Sequence, residues 1–234
     1  MMLRSSTSGI RRTLRVLRQG FGVALVALAC GCTSLLISDK PRDPSTIYAP
    51  DPRVQADPAW PTVPWQLMIA SPTAPRAIDS LRIAVRPIPN EMQIYKGARW
   101  AKSPTTMIED ALLRTLEDSG RIAAVARQGS GIDPDYKLVL DLRRFESDYA
   151  QASVPAATIE VSAKLMDARS QKVVASRTFL GATPAASTGV PDVGAAFEQS
   201  LASITRGLAG WTLSSGASPP VAPAPQGGGP APGG

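Results

Sequence analysis

The chain of 234 residues contains no histidine. That absence removes the commonest general base, the usual partner of a serine nucleophile and the most frequent metal ligand. Cysteine is almost missing too, since Cys30 and Cys32 are its only two, both near the N-terminus. Zinc sites built from Cys and His are therefore excluded. Once one of these cysteines is used as argued below, no disulfide is left to staple the remainder, which must be held by its core. Basic charge is also scarcer than it looks. The formal net charge is +6, but five of the 25 basic residues (Arg4, Arg11, Arg12, Arg15, Arg18) precede the apolar run, leaving 20 against 19 acidic, or +1. A nearly neutral body has no electrostatic footprint for nucleic acid. The acidic groups form no tail or stripe.

The N-terminus reads as a leader. Arg11, Arg12, Arg15 and Arg18 precede an apolar run from Phe21 to Ala29, and small residues then lead into a cysteine. This is the layout of a secretory signal, and the run is about half the ~20 residues that a spanning helix needs. A cysteine at the cut marks the bacterial lipoprotein variant, whose sulfur and new amino group are acylated. Gly31 before it and Thr33-Ser34 after it favour Cys32 over Cys30, although neither cysteine has the usual leucine three residues earlier. A plain cleaved signal and an uncleaved anchor are the alternatives, and Arg11-Arg12 leaves the export route open between general secretion and twin-arginine transport. The expected layout is a signal peptide over 1–31, a tether over 32–64, one domain over 65–213 and a disordered tail over 214–234.

The tether carries Pro41, Pro44, Pro50, Pro52, Pro58, Pro61 and Pro64 with no strand or helix period. In partly polyproline conformation it gains about 3 Å per residue, or up to ~90 Å of reach. Tyr48, Trp60 and Trp65 are the residues that would anchor it if part of it packs on the domain. The tail holds only Ser, Gly, Ala, Pro, Val and Gln, too little apolar content to offset ordering entropy.

Between these flanks the periods are clear. A short strand is expected over Trp65 to Ile69, and Leu81, Ile83 and Val85 alternate with Arg82, Ala84 and Arg86 in a second. Ser103-Pro104 sets a helix start, with Thr106 and Glu109 as an alternative capping box. Ile108, Leu112 and Leu116 fall on one face before Gly120 stops that helix. A brief strand over Ile122 to Ala126 follows. Three period-two segments come next: Lys137 to Glu146, Thr158 to Asp167, and Lys172 to Leu180. The hairpin-length link Asp167 to Gln171 makes the last two antiparallel neighbours. A final helix over Asp192 to Trp211 carries Val193, Phe197, Leu201, Ile204, Leu208 and Trp211 as one stripe, suited to covering a sheet. The fold class expected is α/β: a single domain with a mixed sheet, a βαβ unit followed by an antiparallel meander, and a C-terminal packing helix.

Catalytic chemistry is hard to find. Glu109 with Asp110, and Glu117 with Asp118, are helix neighbours that diverge, so they read as a solvated face. Asp133-Pro134-Asp135 is turn chemistry without calcium-loop spacing. Gly129-Ser130-Gly131 lacks the spacing of a nucleophile elbow or a phosphate loop. No catalytic, cofactor-binding or metal-binding residue is expected. The unusual stretch is Glu91 to Ala101, read as a strand-to-helix connector yet carrying Ile94, Tyr95, Arg99 and Trp100. Tyr, Trp and Arg are enriched at protein interfaces, so Tyr95, Arg99 and Trp100 are the candidate partner-binding residues. The alternative is that Tyr95 and Trp100 pack on the domain's own sheet.

Ile94-Tyr95, then Arg99-Trp100-Ala101 with Pro104, then a helix bearing Leu112 and Leu116, resembles the ABC-type transport auxiliary lipoproteins, the PqiC-like family. Leu81-Arg82-Ile83-Ala84-Val85 and Asp141-Leu142-Arg143-Arg144-Phe145 look like that family as well. The longer tether and the Pro/Gly tail depart from it. The resemblance implies a non-enzymatic, lipid-anchored protein on the periplasmic face of the outer membrane. Its partners would be a mammalian-cell-entry-type periplasmic protein, an ABC permease and its ATPase, moving lipid between membranes, with a homo-oligomer as a further expectation. Thr33 after the cysteine, where inner-membrane retention uses aspartate, suits the outer membrane. A structural lipoprotein that binds cell wall or assists outer-membrane assembly is the alternative.

Overall fold

The computed structural model describes residues 45–217. The expected signal peptide, Cys32 and the first part of the expected tether lie outside the described residues, as does the expected tail beyond Ala217. In chain order the elements are β1 (Thr46–Tyr48), β2 (Val63–Ile69), β3 (Arg82–Arg86), β4 (Gln93–Trp100), α1 (Pro104–Ser119), β5 (Ile122–Arg127), β6 (Tyr136–Asp148), β7 (Ala156–Asp167), β8 (Val173–Pro184) and α2 (Val190–Ala217).

All eight strands join one mixed sheet built on β6. One edge of β6 pairs antiparallel with β7 along its length, and β7 pairs antiparallel with β8. The other edge is shared. Tyr136 to Leu138 pair in parallel with β2, Asp141 bridges Thr73, and Ser147 and Asp148 pair in parallel with β3. Beyond β2 lies β5, parallel to it and entered from α1, which follows β4. Beyond β3 lies β4, antiparallel, and then β1, parallel to β4. The expected mixed sheet, βαβ unit, meander and covering helix are all present.

Local chemistry sets the elements. Ser103 caps α1 with extended backbone, its Oγ accepting from the Thr106 N–H, and Pro104 opens the first turn where no N–H is needed. Gly120 closes it in the left-handed region at φ 59°. Thr105 donates from both its N–H and its hydroxyl to Asp79, tying the helix start to the loop after β2. In β6, the register shift between Leu142 and Arg144 inverts the alternation, so Leu138, Leu140, Leu142 and then Phe145 all reach the core.

The core lies between the sheet and the two helices. Trp100 meets Phe145 and Phe197 edge-on at 5.8 and 5.0 Å, while Phe145 stacks on Phe197 at 4.9 Å. Helix α2 is seated by its glycines. Tyr48 lies on Gly194, Phe179 on Gly207, Trp60 on Gly210 and Trp65 on Gly216; an added Cβ would stand 2.5 Å from a Trp60 atom and 2.5 Å from a Trp65 atom. Glycine costs roughly 1 kcal/mol against alanine inside a helix. Here its use is to let a ring lie against helix backbone.

Three expectations change. Glu91 to Ala101 is largely strand β4, not a connector, because Gly97 at φ 66° and a register shift against β3 break its alternation. The tether's described part does not extend freely: β1 joins the sheet, and Val54, Trp60 and Val63 are buried. Tyr48, Trp60 and Trp65 serve as its anchors. Finally, α2 runs four residues past the 213 boundary to Ala217, held by Trp65 against Gly216 and by the Tyr136 hydroxyl donating to the Gly216 carbonyl.

Candidate functional site

The candidate residues on β4 separate by strand parity. Trp100 points into the core and is 1% exposed. It cannot touch a partner, so its assignment as a contact residue is corrected: its ring is enclosed by Phe145 and Phe197. Tyr95 is half-buried against the same core, with its hydroxyl 3.0 Å from the buried Ser147 hydroxyl, and burial pushes its phenol pKa up. Arg99 faces outward and is exposed.

Arg99 sits in a row that sequence reasoning did not assemble. It pairs with Ile47 of β1 on one side and with Arg82 of β3 on the other, and directly opposed residues share a face. Ile94, opposite Ala84, and Lys96 are exposed further along β4, beyond the register shift that separates them from Arg99. Ile47 is 52% and Ile94 46% exposed. Among the described residues no carboxylate pairs with Arg82, Lys96 or Arg99. The alternation of Arg82 with Ile83 was a usable signal. Thr46-Ile47-Tyr48 gave none, because three residues in a proline-rich segment show no period.

Beside this row stands a charge network. Glu146, 1% exposed, accepts from Arg86 Nε and Nη2, both at 2.9 Å, and from Arg144 Nε at 2.7 Å. Arg144 also donates to Asp148. Two guanidinium groups and two carboxylates cancel in charge, and both arginine pKa values are raised, that of Arg86 mainly by its bonds to Glu146. Such a network fixes geometry and leaves no free base or nucleophile.

A partly enclosed hollow lies between the segment after β1 and α1. It has a volume of about 460 Å³ and is lined by Pro50, Pro52, Ala101, Met107 and Ala111 with a charged rim. Arg114 pairs with Asp51 at 2.5 Å and holds that carboxyl below its ordinary pKa. Lys102 pairs with Asp110 at 2.6 Å, and Arg127 reaches Asp110 at 2.5 Å and Glu109 at 3.9 Å. Burial pushes the Glu109 carboxyl up. The rim charges neutralise one another. No group of three or more carboxylate, histidine or cysteine side chains among the described residues could hold a metal ion. None of the described helices is long and apolar enough to cross a membrane.

A family model describing ABC-type transport auxiliary lipoprotein components matches residues 46–209, from the first residue of β1 into α2. The crystal structure of protein XCC0632 from Xanthomonas campestris is 58% identical, with a TM-score of 0.72 over 74% of this chain and 97% of that one. A second crystal structure, of an uncharacterized protein, shares the fold at a TM-score of 0.53 and 16% identity over 68% of this chain and 97% of that one. The uncharacterized protein bll6063 of Bradyrhizobium diazoefficiens is 28% identical over 156 residues. The match takes in 67% of this chain and 41% of that relative, so the chain spans about two fifths of its length.

Proposed function

Because the chain belongs to the ABC-type transport auxiliary lipoprotein components, we propose that it is a non-catalytic, lipid-anchored docking piece of an envelope transport machine. Acyl chains on Cys32 hold it to the periplasmic face of the outer membrane. Its sheet and helices engage a mammalian-cell-entry-type periplasmic protein that works with an ABC permease and an ATPase to move lipid. The observation that carries this reading is the coincidence of the family match, 46–209, with the whole described body from β1 through most of α2. The charge pairing supports it as well, since the carboxylates of the hollow and of the β6 network are occupied by Arg and Lys. Three acyl chains, at ~0.8 kcal/mol per buried CH₂, exceed what stable anchoring requires.

Two measurements test it. A palmitate analogue fed to growing cells is expected to label the chain and to leave a Cys32→Ala variant unlabelled. Affinity capture of the tagged chain from detergent-solubilised envelopes, followed by mass spectrometry, is expected to recover the permease, the ATPase and the mammalian-cell-entry-type protein. Recovery of cell-wall-linked proteins without that set would overturn the transport reading.

A further inference from the structure

The outward face of the β1–β4–β3 margin is left unused by the packing, and its composition is specific. Arg82, Lys96 and Arg99 are unpaired by any carboxylate among the described residues; Arg99 lies opposite both Arg82 and the exposed Ile47, and Lys96 and Ile94 are exposed on the same strand as Arg99. Long cations beside apolar side chains suit a boundary between water and lipid, where stems and isoleucines meet the acyl region and charges stay at the phosphates. We infer that this face lies against a bilayer surface carrying anionic phospholipid, as a second attachment beside the acyl chains of Cys32.

The inference rests on the lipoprotein reading for its geometry. Thirteen residues separate Cys32 from Thr46, the first residue of β1. At no more than ~3.5 Å per residue the leash reaches about 50 Å, and it enters the body at the strand that carries Ile47. A short leash keeps the local concentration of the surface high, so a patch that is weak alone suffices. The margin of β8 makes a useful contrast. Leu180 and Val174 are exposed there, but Glu160 stands opposite Leu180, and the leash does not enter on that strand.

The test uses the chain at its processed length, starting at residue 32 with Cys32→Ser so that no acyl chain contributes, in co-sedimentation with vesicles. The expected result is binding to vesicles containing phosphatidylglycerol, falling as salt rises, with little binding to pure phosphatidylcholine. Each cation near an anionic surface is worth about fivefold in partition. The triple variant Arg82→Gln, Lys96→Gln, Arg99→Gln should therefore lose on the order of a hundredfold while melting at the parent temperature, and Leu180→Ser should bind as the parent does. Equal binding to the two vesicle types, an unaffected triple variant, or an equal loss in Leu180→Ser would overturn the inference. So would a triple variant that binds vesicles normally but loses its co-purifying proteins, because the face would then belong to a protein. Labelling at Cys32 is read separately, so failure of the anchor and failure of the face give different results.

Discussion

The hairpin side of the sheet and its β1–β4 margin are built by opposite means. On the first side, β6, β7 and β8 follow one another through short turns and pair over most of their length, with Asp167 accepting from Ser170 at the tight turn between β7 and β8. On the second, the three residues of β1 pair with Ala98 to Trp100, about fifty positions later in sequence. A three-residue ladder cannot hold that margin alone. It is secured by side chains: Trp60 on Gly210, Tyr48 on Gly194, Arg114 on Asp51, and the enclosed ring of Trp100. Backbone pairing carries the hairpins, while individual side-chain seats carry the margin. The margin is therefore the side that single substitutions should release.

The harshest test is Trp100→Ala. The ring belongs to a margin strand but touches Phe145 of β6 and Phe197 of α2, so its loss should cost about 3–5 kcal/mol in denaturant unfolding, spread over the whole domain. A transition in which only residues 45–64 came free would show the margin to be an independent unit. Glu146→Ala follows, at roughly 3 kcal/mol. It strands the guanidinium groups of Arg86 and Arg144 against a buried site, although each side chain keeps about 30% exposure to soften the loss. Gly210→Ala is smaller, about 1–3 kcal/mol, because its methyl would overlap Trp60. At an ordinary helix position the same change stabilises. Proteolysis of the 49–60 segment should quicken in this variant while the hairpins keep their protection.

This asymmetry also decides what could be read in advance. Leu138, Leu140 and Leu142, or Ile159, Val161, Ala163 and Leu165, announce their strands by period two, and Ser103-Pro104 and Gly120 mark the ends of α1 by elementary capping chemistry. β4 was not legible as a strand, since Gly97 interrupts its period and its partners lie in distant parts of the chain. Tyr95, Arg99 and Trp100 could be picked out as unusual, but composition cannot say which side of a strand a residue faces. Parity sends Trp100 inward and its neighbour Arg99 outward. The apolar stripe of α2 says nothing of its glycines, whose role as ring seats needs the third dimension.

The mildest probe acts on the ion pair that latches the margin to α1. Arg114 depresses the Asp51 carboxyl below its unfolded value, so the pair contributes stability fully above that ordinary value, near pH 4, and loses it as pH falls through the lower folded one. Asp51 is 54% exposed, so solvent screening keeps the contribution under about 1 kcal/mol. Hydrogen exchange in residues 49–56, taken relative to the intrinsic amide rate at each pH, should thus accelerate below about pH 4 in the parent before global unfolding begins. Arg114→Ala should show the faster exchange already at pH 7, with a flatter acid dependence. If the variant kept the parent's profile at both pH values, the latch would lie with Trp60 and Tyr48 alone, and the margin would be held by rings without help from charge.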